Sequence, residues 1–78
     1  MQARIAPSAL KKVAEAHSDG LVKFVLWLSE PILTEKEVEA IRAMGCQWAY
    51  QSVRVAAVEV PARCLMELAE LPSVVKVS

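Results

Sequence analysis

The sequence predicts a single α+β domain whose main elements run β-α-β-β-α-β, preceded by a short N-terminal helix. Three observations carry this. A valine-rich run stops at Pro61, a helix-period segment runs to Pro72, and a short valine strand closes the chain. Thr34-Glu35-Lys36-Glu37 spells a capping box, in which the Thr hydroxyl and the Glu carboxylate each satisfy the other's backbone N–H. The run from Leu21 is apolar on both faces, as expected of a strand with neighbours on both sides.

The elements follow in order. Residues 7–17 predict a helix with Leu10, Val13, Ala14 and His17 on its apolar face. Ser18-Asp19-Gly20 is a turn. Residues 21–29 predict a strand, with Val22, Phe24, Leu26 and Leu28 on one side and Lys23, Val25 and Trp27 on the other. Pro31 breaks it. The second helix starts at the Thr34 cap, carries Val38, Ile41 and Met44 as its stripe, and ends at Gly45, which suits a left-handed terminus. Glu35, Glu37 and Glu39 suit the dipole of its first turn. Residues 46–51 alternate Cys46, Trp48, Tyr50 against Gln47, Ala49, Gln51, the pattern of a half-buried strand. A turn at Ser52-Val53-Arg54 leads to a third strand over 55–60, with Ala56, Val58 and Val60 facing the helices. The third helix spans 62–71 and buries Leu65, Leu68 and Ala69; the fourth strand is 74–77.

Two crossover units joined by a hairpin give the ferredoxin-like arrangement: four antiparallel strands with both helices on one face. The opposite sheet face is then bare, and Val25 and Trp27 make it a docking surface. Residues 1–20 read as an N-terminal helical extension and 21–78 as the domain proper.

Composition narrows the function. Seventy-eight residues make one domain near the lower limit for a self-sufficient core, offset by 55% hydrophobic content. Nine basic and nine acidic residues cancel with no long like-charge block, so no nucleic-acid footprint or polybasic membrane patch is visible. The longest apolar run, Val25-Leu26-Trp27-Leu28, is far too short to span a bilayer, and Met1 to Leu10 lacks a signal-peptide core. The expected location is cytoplasmic for a free-standing chain and secreted for part of a precursor.

No catalytic or metal constellation emerges. His17 is the only histidine, at the end of the first helix, where it favours the dipole. Cys46 and Cys64 match no zinc spacing; they read as two buried free thiols, with a single disulfide as the alternative. Gly20 and Gly45 are the only glycines, too few for a phosphate-cradling loop. The chain is expected to be no enzyme and to bind no metal or cofactor.

The segments Met44-Gly45-Cys46-Gln47-Trp48-Ala49-Tyr50-Gln51, Ala56-Ala57-Val58-Glu59-Val60-Pro61, Leu65 to Leu71, Pro72 and Val74 to Val77 resemble, in order and spacing, the prodomains and proteinase inhibitors of subtilisin-type serine proteases. The likeness covers residues 22–77. It implies a module that binds a subtilisin-type protease as chaperone and inhibitor without being one, laying its bare sheet face on surface helices of the catalytic domain. Val25 and Trp27 on the first strand, and Val75, Val77 and Ser78 at the end of the last, are the partner-binding residues it implies. Family tails enter the substrate cleft as an added strand, and acids near the last strand often cap helix N-termini of the protease. Ser78 stands where an acid is expected and no tail follows, so inhibition is expected to be weaker than binding. The alternative is a small regulatory or oligomerisation module that uses the same face, for instance as a homodimer.

Overall fold

The computed structural model describes residues 3–78. Its elements are β1 (Arg4–Ile5), α1 (Pro7–Ala14), β2 (Leu21–Leu28), α2 (Glu35–Ala43), β3 (Trp48–Ser52), β4 (Val55–Pro61), a 3-10 turn (Ala62–Cys64), α3 (Leu65–Ala69) and β5 (Val74–Val77). The strands form one mixed sheet in the order β1-β5-β2-β4-β3, in which only β1 and β5 are parallel. The fold is α+β, as the sequence predicts.

The predicted sheet of four antiparallel strands is extended by β1, a two-residue strand too short to leave any periodicity. Its position is set by contacts remote in sequence: Ala3 N–H donates to Ala69 C=O and Ala6 N–H to Val77 C=O, both at 2.8 Å. Met1 and Gln2 lie outside the described residues.

One core serves all three helices. Phe24, Leu26, Val58, Val60 and Val77 project from the sheet to meet Ala9 of α1, Ile41 of α2, and Leu65, Leu68 and Ala69 of α3. The alternation along β2 is as predicted, with Val22, Phe24, Leu26 and Leu28 buried, and β2 sits between β5 and β4.

Several faces differ from expectation. In α1 the inward residue is Ala9, supported by Val13 and Ala16, while Leu10, Ala14 and His17 are exposed. The small Ala9 lets the helix approach closely, which the larger Leu10 would prevent. The helix ends at Ala14, before the Ser18–Gly20 turn. The third helix divides because Pro61 remains in β4 at extended angles, so the chain turns through a 3-10 segment before α3 begins at Leu65. β3 starts two residues later than predicted, and all five of its residues are exposed.

Helix α2 buries Ile41 and Met44 but leaves Val38 at its rim; the residue beside it, Glu37, is buried instead. Glu37 completes the capping box: Thr34 N–H donates to its Oε1 (3.0 Å) and its own N–H donates to Thr34 Oγ1 (3.3 Å). The same carboxylate crosses to the loop before β5. Ser73 N–H donates to Oε2 at 2.8 Å and the Ser73 hydroxyl to Oε1 at 2.7 Å. Burial pushes the carboxyl pKa up, but the hydrogen bonds from Thr34 and Ser73 outweigh it and hold the group below its ordinary value.

Two backbone specials shape the β3 side. Gly45, just past α2, has φ 88°, a conformation in which a side chain is strained even though a Cβ there would meet only ordinary contacts. Arg54 adopts φ 60° in the β3–β4 turn, uncommon for a non-glycine. The loop after β2 holds it there: its N–H donates to Pro31 C=O (2.9 Å), its C=O accepts from Leu28 N–H (2.9 Å), and its guanidinium donates to Ser29 C=O (2.6 Å).

Leu68→Ala, which truncates a fully buried residue, should destabilise the chain by roughly 2–5 kcal/mol in chemical denaturation; a loss under about 0.5 kcal/mol would mean that this face carries little of the core. Glu37 yields a pH prediction. A carboxyl with a depressed folded pKa contributes stability that is present above its unfolded value, near 4.5, and is lost as pH falls through the folded value. Glu37→Gln should cost about 1–3 kcal/mol at neutral pH, since an amide nitrogen then faces N–H donors. It should also flatten the loss of stability below pH 4.5; an unchanged acid limb would refute the assignment.

Candidate protein-binding surface

All three helices contribute to the core on one side of the sheet, and the other side is open. The strand register arranges it in rows. Lys76, Trp27, Val55 and Ser52 form one row across β5, β2, β4 and β3. Val25, Ala57 and Tyr50 form the next, extended by Ser78, which exchanges backbone hydrogen bonds with Val25 (2.8 and 2.9 Å). Lys23, Glu59 and Trp48 form the third. Arg4 lies beside Lys76 on β1.

The apolar and aromatic content of this face is high. Trp27 is 45% exposed, Trp48 44% and Tyr50 60%, with half-buried Val25, Val55 and Ala57 between them. The aromatic groups are held in place: Trp27 Nε1–H donates to the Ser78 hydroxyl at 3.2 Å, and the Lys23 ammonium lies 4.8 Å from the centre of the Trp48 ring, within cation–π range. Fixed rings lose little freedom on binding and so make effective anchors.

The residues implied as partner-binding divide. Val25, Trp27 and Ser78 share the open face. Val75 is exposed because the register shifts in β5: Trp27 faces Lys76 while Leu28 faces Val74, leaving Val75 unmatched. Val77 belongs to the core instead. It pairs with the core residue Leu26, ahead of the shift, and is fully buried. Trp48 and Tyr50 were expected as half-buried packing, yet they complete the surface; their alternation with Ala49 already placed them on one side of the strand.

Charge on the face is uneven although the whole chain is neutral. Arg4, Lys23 and Lys76 are set against Glu59 alone among the described residues. The acids of α2 (Glu35, Glu37, Glu39) and of α3 (Glu67) belong to the helical layer.

Behind β3 a groove of about 380 Å³ runs between Val38, Ile41 and Arg42 of α2 and Ala49 and Gln51 of β3, with Ala56 and Val58 at its base. Cys46 beside it and Cys64 in the core are both free thiols, and burial raises the pKa of Cys64, leaving it unreactive packing. No group of three or more His, Cys, Asp or Glu side chains among the described residues could hold a metal ion. No helix among them is long and apolar enough to cross a membrane. No protein-family model, curated protein or solved structure matches the chain.

Two outcomes test this surface. Trp27→Ala should lower stability by about 1 kcal/mol, much less than Leu68→Ala, because Trp27 buries only part of its ring; a loss as large as that of Leu68→Ala would place it in the core. Zinc, ATP and single-stranded RNA should leave the melting temperature unchanged, since any ligand that prefers the folded state raises it. A saturable rise with RNA would make the aromatic rows a base-stacking platform.

Proposed function

We propose that the chain is a non-enzymatic protein-binding module that docks on a subtilisin-type serine protease through its open sheet face, acting as chaperone or inhibitor. One observation carries this: a sheet face with Trp27, Trp48 and Tyr50 exposed and both indoles held in place, left bare among the described residues while the helices crowd the other side. Core-like aromatic patches framed by polar residues are a form of protein-docking surface.

The order β5-β2-β4-β3 supports a ferredoxin-like reading of residues 21–78. Two crossover units joined by a hairpin yield that order, and β1 and α1 are then an addition at one edge. The resemblance of residues 22–77 to subtilisin prodomains supplies the partner. Electrostatics favours such a partner over face-to-face pairing of two copies. Both copies would bring a net positive surface to the interface, and like charges brought together cost affinity.

Titration against a subtilisin catalytic domain tests the proposal. A complex is expected, weakened about tenfold or more by Trp27→Ala, the effect of losing a central aromatic anchor. An extended segment added after Ser78 should strengthen inhibition, because Ser78 ends on the docking face beside Trp27. Absence of a complex at micromolar concentration with and without that segment would refute the protease as partner.

A further inference from the structure

The two edges of the sheet are built differently. At one edge β1 has only two residues, carries Arg4, and is followed by Pro7; a short strand, a charge and a proline are the usual means of blocking an edge. At the other, β3 (Trp48-Ala49-Tyr50-Gln51-Ser52) has five residues, with no charge and no proline. Its hairpin closes on the Ser52–Val55 pair across two residues, so Trp48, Tyr50 and Ser52 direct their backbone bonds to β4. The N–H and C=O groups of Ala49 and Gln51 therefore point away from the sheet. Helix α2 is set back from this edge by the groove between Val38 and Ala49, so among the described residues no helix shields the strand, and the Gln51 side chain is drawn to its own chain by Leu33 N–H (3.3 Å) and Pro31 C=O (3.5 Å).

We propose that β3 is a self-pairing edge: two copies of the chain join antiparallel through Ala49 and Gln51 about a two-fold axis at Tyr50, making one continuous sheet. In this register Ala49 of each copy exchanges both backbone hydrogen bonds with Gln51 of the other. The two Tyr50 rings meet on the open face as a close, non-hydrogen-bonded pair, and Trp48 lies opposite Ser52. The strand is its own complement. No like charges meet along it, the chain as a whole is neutral, and the small Ala49 leaves room for the longer Gln51. A pair of five-residue strands buries less than the roughly 800 Å² per partner of a standard interface, so the dimer is weak, with a Kd on the order of tens of micromolar. This inference does not rest on the protease reading, because it is argued from the backbone edge of β3 and requires only the chain itself, although Tyr50 borders both surfaces.

Sedimentation equilibrium of the full chain from about 5 μM to 1 mM, a range that brackets such a Kd, reads the association directly. A monomer–dimer equilibrium is expected. Tyr50→Lys, which sets two like charges face to face at the axis, should abolish it; Tyr50→Phe and Trp27→Ala should preserve it. Hydrogen exchange supplies a second readout. The Ala49 and Gln51 amides should gain protection as concentration rises, while the Tyr50 amide, bonded to β4, is protected throughout in proportion to folding stability. A chain that stays monomeric across the range overturns the proposal and leaves the edge to some other extended chain. So does a dimer that Trp27→Ala breaks and Tyr50→Lys does not, which would be pairing through the open face, or association without added protection at Ala49 and Gln51.

Discussion

Among the described residues every helix packs on one face of the sheet and none on the other. The helices are short, and all three turn their buried residues to the same core. That constraint accounts for the rest of the molecule. The side of the sheet that meets the helices is dense and apolar, from Phe24 and Leu26 through Val58 and Val60 to Val77. On the other side, residues that would be core in a three-layer protein face solvent, and the most exposed are Trp27, Trp48 and Tyr50. Strand β3 stands across a groove from α2, with all five of its residues exposed and one edge unpaired.

One polar interaction fixes how the helical layer sits on the sheet. The Glu37 carboxylate ends α2 and at the same time holds the loop before β5 through both donors of Ser73. A buried carboxylate is tolerable only when hydrogen-bonded, and here both oxygens are occupied. The link joins segments far apart in sequence, so it orients α2 relative to β5 more than it adds to the stability of the helix alone. Arg54 performs a similar task in the β3–β4 turn, where hydrogen bonds with Leu28 at the end of β2 and with Ser29 and Pro31 just after it hold an unfavourable backbone angle.

Separation of charge accompanies this one-sided architecture. Acids suit the first turn of α2, where they meet the dipole, while strands β1, β2 and β5 bring Arg4, Lys23 and Lys76 onto the open face. A net charge of zero conceals this arrangement. It sets a positive, aromatic face beside a strand edge that carries no charge.

Much of this was readable from local chemistry. The Thr34–Glu37 box, Gly45 at the helix end, the alternation along β2 and the valine strand after Pro72 are signals complete within a few residues, and the sequence alone determines them. It also places Val25 and Trp27 opposite Phe24 and Leu26, because strand alternation admits no other arrangement. What the sequence could not determine depended on pairs distant along the chain. Strand β1 exists only because Val77 and Ala69 offer it hydrogen-bond partners. Ala9 is chosen over Leu10 by how closely α1 can approach the sheet. Val77 is turned inward by its pairing with Leu26, and Val75 outward by the register shift between Trp27 and Leu28. Trp48 and Tyr50 carry the same alternating pattern whether their side of the sheet is covered or not; they face solvent because, among the described residues, every helix packs on the opposite side. Local periodicity specifies which residues share a side, and tertiary packing decides which side is covered.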